Sequence, residues 1–451
     1  MSRRGLLQLG LATGLATALV TGVGACDGCG AAPPPPTSEP SPSAITIVDS
    51  PKVPEGGADV VSGPRRGMGW YPNIEADDDG RLHLAWVDAD AGDVRYAVTA
   101  PGGSHLAEPP VTIDALGAVG SFLRLALAPG GAPLLSYARQ DTAIFRFAWR
   151  PLDRGVMRAA GAAVDADGVF PELPAQTTTG APVQLLAGFI GEEVGYGEQV
   201  GRGSSLGVDK DGRVAIAYYS ADDRLRLARR PADVAAFSVL SAGVFEKRDL
   251  DSWARGSIRV VSDTAILDDG TVVVAYAHDV ATDARLRIAV LPPGGKPSMI
   301  EDLRGPTVTL DGLTSRLVPR AGSGGAIVDV VAHDKTAGAV VLRSVDIKNV
   351  AWLPNRTRLV DVEGVAVTVA RAEGGWFTLA RIPDEGVFVY VIDAGVPAAD
   401  GSPTAGQTRR IRLDGRSMQT DNWLDVVARK DGRPAAVWFS TADAALKLYA
   451  P

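Results

Sequence analysis

The chain has 451 residues, 45 basic and 53 acidic side chains, a formal net charge of −8 and a hydrophobic content of 46%. That balance is wrong for nucleic acid, which is held by clustered basic stripes. Two cysteines in a chain of this length exclude a disulfide scaffold, so the core must stand on packing alone.

In chain order the first element is an export signal. Arg3 and Arg4 precede a weakly apolar run from Leu6 to Val23, and Val23-Gly24-Ala25-Cys26 closes it. Small residues before a cysteine suit a signal-peptidase pocket, and the thiol can take a lipid. This segment resembles a bacterial lipobox. Ser2-Arg3-Arg4-Gly5-Leu6-Leu7-Gln8 also resembles a twin-arginine motif, with Gln8 where Lys is common and Leu6 where Phe is common. Residues 1–25 are thus read as a lipoprotein signal peptide, and 26–43 as a lipidated Cys26 followed by a Pro-rich linker. Maturation there removes Arg3 and Arg4, leaving 43 basic against 53 acidic side chains. The resemblance implies an exported, membrane-anchored protein facing the periplasm or the cell surface.

Residues 44–451 repeat one phrase: a strand, an acidic Gly turn, and a second strand ending in an aromatic. Asp78-Asp79-Gly80 leads to Trp86, Lys210-Asp211-Gly212 to Tyr218, Asp268-Asp269-Gly270 to Tyr276, and Lys430-Asp431-Gly432 to Trp438. The turn glycines form a column, Gly80, Gly131, Gly212, Gly270, Gly325, Gly375 and Gly432, spaced by 51, 81, 58, 55, 50 and 57 residues. A third strand follows each loop, as in Val94-Arg95-Tyr96-Ala97 and Leu286-Arg287-Ile288-Ala289. Alternation with period two predicts half-buried strands. Hairpins repeating at roughly 40–50 residues predict propeller blades. The expectation is an all-β, seven-bladed propeller of four-stranded antiparallel blades. The 81-residue interval is read as one blade with an insertion within about 153–203. The last unit lacks room for a fourth strand, and Ala44 to Asp49 has the texture of Val111 to Asp114. An N-terminal strand is therefore expected to close the ring.

These repeats resemble the sialidase-like, or BNR-type, β-propellers of exported bacterial proteins, at the level of architecture, over about Ile45 to Ala450. Enzymes of that kind carry Asp-box turns, Ser-x-Asp-x-Gly-x-Thr-Trp, and none of the seven turns here does. The Arg triad and Tyr-Glu pair that the resemblance implies have no assignable counterparts.

In propellers the loops from second to third strand, and those entering each first strand, gather on one face. Eight residues after the turn glycines this column reads Asp88, Arg139, Ser220, His278, His333, Pro383 and Ser440. His278-Asp279 and His333-Asp334 repeat at equivalent places, in reach of coordination or proton transfer. Trp70-Tyr71, Phe122 with Arg124, and Trp423 enter the first strands, where aromatics can stack on sugar rings. The candidate binding set is Asp88, Arg139, His278, Asp279, His333, Asp334, Trp70, Tyr71 and Trp423. Acidic turns such as Asp77-Asp78-Asp79-Gly80 lack calcium-loop spacing, so no metal and no cofactor is expected. The functional expectation is a monomeric envelope module that recognises a protein or a glycan without catalysis. The alternative is a carbohydrate hydrolase or lyase with its site on the channel face.

Overall fold

The computed structural model describes residues 35–451 apart from 42–43, 51–67, 116–118, 140–141, 151–182, 198–199, 221–223, 231–244, 253–261, 279–284, 302–315, 321–322, 324–325, 335–336, 365, 398–402, 416–422 and 441–442. Residues 36–451 form one unit. It is a seven-bladed β-propeller. Blade 1 is a four-stranded antiparallel sheet of Met68–Ala76, Leu82–Asp88, Asp93–Val98 and Val111–Asp114. The first strands of the remaining blades are Val119–Leu127, Arg202–Val208, Asp263–Ile266, Arg316–Pro319, Ala366–Ala372 and Leu424–Ala428. Each first strand touches the next around the circle, and the seventh touches the first. The acidic turns fold as the sequence suggests, with Gly80 at φ 76° and Gly212 at φ 80°, a conformation that favours glycine.

The strands are more deeply buried than their alternation predicts. Leu82–Asp88 is buried at every position. Both faces of a blade pack against neighbouring blades, so residues on either side of a second strand lose solvent. The core accordingly lies between blades. Leu82, Leu84, Trp86 and Ala97 of blade 1 pack with Ala435, Val437, Leu446 and Leu448 of blade 7.

Blade 7 takes its outer strand from the other end of the chain. Ile45–Asp49 pairs antiparallel with Ala445–Tyr449, Ile45 opposite Tyr449. Two blades carry a fifth strand. Thr37–Ser38 pairs parallel with Ala405–Asp414 of blade 6, and Val183–Gln184 extends blade 2. Residues 153–182 and 198–199 of the 153–203 stretch lie outside the described residues, whereas Ile190–Tyr196 within it is the fourth strand of blade 2.

An aspartate at the end of a fourth strand ties several blades to the blade that follows. Asp114 Oδ2 of blade 1 accepts from Tyr137 OH at 2.9 Å and Arg146 Nη1 at 2.8 Å of blade 2. Asp251 Oδ2 of blade 3 accepts from Tyr276 OH at 2.8 Å and Arg287 Nη1 at 2.9 Å of blade 4. Asp414 Oδ2 of blade 6 accepts from Trp438 Nε1 at 2.9 Å and Lys447 Nζ at 3.2 Å of blade 7. Asp49, on the N-terminal strand, lies in the same relation to blade 1, with Arg95 Nε 3.3 Å from its Oδ2. In blades 2, 4 and 7 the aromatic near the end of the second strand and the base opposite it thus share one carboxylate on the preceding blade.

Two outcomes follow. Asp114→Ala strands the Tyr137 hydroxyl and a guanidinium that is 2% exposed, and breaking such a buried pair costs about 3–5 kcal/mol. Asp414→Ala, in a more exposed clamp, loses less, and urea midpoints of the two variants measure the difference. Removing residues 1–49 bares the outer edge of blade 7 and discards Val48 and the Asp49 carboxylate. A melting temperature several degrees below that of the full chain, or aggregation, is expected in calorimetry.

Candidate functional site

The first strands line the channel, and one polar residue from each forms a continuous girdle. Asn73 Nδ2 donates to the Leu123 carbonyl of blade 2 at 3.0 Å. Arg124 Nε donates to the Ser204 carbonyl of blade 3 at 2.8 Å. Ser205 Oγ meets Thr264 Oγ1 of blade 4 at 2.6 Å, and Asp263 Oδ2 accepts from the Leu317 amide of blade 5 at 2.6 Å. Arg316 Nε donates to the Val369 carbonyl of blade 6 at 3.1 Å. Thr368 Oγ1 donates to Asp425 Oδ1 of blade 7 at 3.2 Å, and Asp425 Oδ2 accepts from the Ile74 amide of blade 1 at 3.2 Å. These seven residues share one register, opposite Ala85, Ser136, Ala217, Ala275, Val331, Leu379 and Val437 of the second strands. Arg316 also reaches past blade 6 to Asp425, Nη2 to Oδ1 at 3.2 Å.

Above the girdle sits an aromatic cluster from three consecutive blades. Trp423 of blade 7 stacks on Trp70 of blade 1, with ring centroids 4.1 Å apart. Tyr71 lies 6.2 Å from Trp423 and 5.7 Å from Phe122 of blade 2, and Phe439 packs edge-on to Trp423. All five rings are half-buried. Tyr71 and Phe122 occupy equivalent bulges at φ 49° and 57°. A left-handed conformation in a bulky residue costs about 1–3 kcal/mol and persists only where its surroundings impose it. Here Asn73 imposes it, donating through Nδ2 to the Tyr71 carbonyl at 2.8 Å as well as to Leu123. The third equivalent bulge, in blade 3, carries Gly203 at φ 54°.

Below the girdle one residue stands out. Two positions past each girdle member, six blades carry Ala126, Gly207, Ala265, Val318, Ala370 and Val427, and blade 1 carries Glu75. Among the described residues Glu75 makes no hydrogen bond and no ion pair. Burial pushes its carboxyl up to about 7, helped by Asp425 and Asp263 and opposed by Arg316. Burial likewise raises Asp263 and lowers Arg124. For Arg316 burial works against the charge, and Asp425, Asp263 and Glu75 outweigh it, raising its pKa.

Of the residues singled out from sequence, Trp70, Tyr71 and Trp423 come together in the aromatic cluster. Asp88 ends a second strand, and its Oδ1 accepts from the amides of Asp90 and Ala91, both at 3.0 Å, so it builds its own hairpin. Arg139 occupies the matching place in blade 2 and is buried. His333 is buried too, and its Nε2 contacts the Val362 carbonyl at 3.0 Å. Asp334 accepts from the Ala337 amide at 3.1 Å and from the Arg356 guanidinium. His278 ends the strand Val272–His278, opposite Arg285, and Asp279 lies outside the described residues. The two histidines are one residue out of register. His278 is three past the girdle partner Ala275, and His333 two past Val331. The hairpin between first and second strands is longer in blade 5, which shifts its column.

The girdle and Glu75 escape a motif search because their residue types differ from blade to blade. Their signal is positional: in six blades the girdle residue stands seven positions before the turn glycine. Gly203-Ser204-Ser205-Leu206-Gly207 has the spacing of a nucleophile elbow. Yet Ser205 lies inside a strand, and Ser262 and Thr264 engage its Oγ.

No protein-family model matches the chain, and no curated protein matches it in sequence. Solved structures similar in fold include the intramolecular trans-sialidase from Ruminococcus gnavus, at 10% identity and a TM-score of 0.42, covering 84% of this chain and 93% of that one. The NanB sialidase from Streptococcus pneumoniae gives 9% identity and a TM-score of 0.44, covering 86% and 69%. An oligogalacturonate lyase gives 14% identity and a TM-score of 0.45, covering 90% and 96%.

A pH test isolates Glu75. Its ordinary pKa is 4.5 and its folded value is about 7. Between those limits the folded state holds more protons than the unfolded chain, so stability falls as pH rises through the window. Glu75→Gln removes that slope. The variant and parent match near pH 5, and the variant is the more stable by pH 8, read from urea midpoints.

Proposed function

We propose that this protein is an exported recognition module, held to a membrane through lipid on Cys26, that binds a glycan or a protein segment at the aromatic end of its channel. The observation that carries the reading is the meeting of Trp423, Trp70, Tyr71 and Phe122 from three blades, with two of them held in a costly backbone conformation. Flat half-buried rings offer stacking area to a sugar or an apolar side chain. The girdle fixes their positions beforehand, so little ordering is left to binding. His278, His333, Asp334, Asp88 and Arg139, at the ends of second strands, and Asp279, which lies outside the described residues, stay in the proposal as its outer boundary.

A second reading, a carbohydrate hydrolase or lyase, is favoured by Glu75. A carboxyl near pKa 7 in a channel with Asp263 and Asp425 is suited to general acid–base work.

The test is a binding and product screen of glycans, peptidoglycan fragments and peptides on the purified full chain. Trp423→Ala with Tyr71→Ala should weaken any ligand at least about tenfold, or roughly 1.4 kcal/mol. Asp78→Ala with Asp211→Ala, on the opposite face, should leave affinity unchanged. The reverse pattern overturns the choice of face. Product that disappears in Glu75→Gln selects the enzyme. Cys26→Ser should move the protein from the membrane fraction to the soluble one, or leave the precursor uncleaved.

A further inference from the structure

Among the described residues the channel holds two charges of opposite sign that lack a direct ion-pair partner. Arg124 spends its hydrogen bonds on backbone carbonyls, Nε to Ser204 at 2.8 Å and Nη1 to Leu123 at 3.3 Å. Among the described residues no carboxylate lies within ion-pair distance of it. Arg316, the other channel arginine, is paired with Asp425. Among the described residues Glu75 makes no hydrogen bond or ion pair, and the hydrogen bonds to Asp263 come from backbone amides. Glu75 and Arg124 have the same charged neighbours, Asp263, Arg316 and Asp425, yet neither is paired with the other. They stand on adjacent first strands, with Tyr71 and Phe122 at the rim of those same strands.

Desolvated charges without partners are costly, and a fold that needs neither at its position gains nothing from them. The other six blades show that Glu75's place is filled by small or apolar residues. Arg124's duty to Ser204 is one that a neutral donor performs elsewhere in the girdle, as Asn73 does to Leu123.

We propose that the channel beneath the aromatic rim is a site for a zwitterionic ligand, an amino acid or short peptide. Its carboxylate pairs with Arg124, its ammonium with Glu75 and Asp263, and its apolar part lies against Tyr71 and Phe122. A ligand bearing both charges compensates both protein groups at once, and a charge-assisted bond is about twice as strong as a neutral one. A ligand with one charge leaves the opposite protein group half-buried and without an ion pair. This rests on the reading of the channel as the ligand site and gives that ligand its chemistry.

The test is calorimetric titration of the full chain with an unmodified alanyl-phenylalanine dipeptide, its N-acetyl form, its C-terminal amide and a neutral disaccharide. The unmodified dipeptide should bind, and each blocked form should bind at least about tenfold more weakly, roughly 1.4 kcal/mol. In Arg124→Gln, which keeps a donor for Ser204, the penalty for the amide should vanish. In Glu75→Gln the penalty for the acetyl form should shrink, Asp263 alone remaining to meet the ammonium. Blocked and unblocked dipeptides that bind alike to the unaltered protein overturn the proposal without any variant. So does a dipeptide that gives no saturable binding. A disaccharide that binds and is lost in Trp423→Ala, while all dipeptides fail, overturns the zwitterion and leaves the recognition module standing.

Discussion

The contact on which the ring depends is a side chain of one first strand bonded to the next blade. A propeller has no disulfide or central element to hold its blades together. Each blade is a small sheet that buries both faces only when it has neighbours. Apolar packing supplies most of the driving force, but packing alone permits slippage. The girdle removes that freedom. Seven polar side chains, from Asn73 to Asp425, hand a hydrogen bond from blade to blade around the channel. The clamps of Asp114, Asp251 and Asp414 do the same work further out.

Against that frame the groups with no structural duty stand apart. Glu75 breaks a column of small and apolar residues and bonds to nothing described. Tyr71 and Phe122 take a conformation that Gly203, in the equivalent bulge, adopts without cost. Local choices that disagree with the global fold mark places where something other than stability was selected. Here the disagreements fall on adjacent first strands, Tyr71 and Glu75 on one and Phe122 on the next.

Much of the fold was legible because turn chemistry repeats. Gly80, Gly212, Gly270 and Gly432 each follow an aspartate and precede an alternating strand, and the column they start, extended through Gly131, Gly325 and Gly375, counts blades. The likeness of Ala44 to Asp49 with Val111 to Asp114 was legible for a deeper reason. Both end in the aspartate that faces the next blade. The rim aromatics were also readable, since Trp70, Tyr71 and Trp423 enter first strands. The girdle was not, because Asn, Arg, Ser, Asp and Thr perform one task by different chemistry, and only register unites them. The His-Asp pairs, alike in letters, differ in register. A longer hairpin in blade 5 gives the same letters a different place, and His333 then serves as a buried bond to a loop carbonyl. Glu75 gave no signal by itself, since a lone glutamate in an alternating strand looks like any solvent-facing residue.

The pairing of Ile45 with Tyr449 joins residues near opposite ends of the chain. Most hairpins in this molecule form between residues a short loop apart and can assemble as the chain emerges. Blade 7 cannot. Three of its strands lie at the very end of the sequence, and the fourth waits near the beginning. The entropy of closing so long a loop grows only with the logarithm of its length, so the finished junction is not weak. Its cost is in time, because non-local pairing slows folding and leaves edges bare meanwhile. Until residue 449 is in place, Ile45–Asp49 has no third strand to pair with and the blade 7 side of blade 1 is uncovered. The seam between blades 7 and 1 is therefore the junction most exposed during folding, when the other six blades are assembled and it is still open.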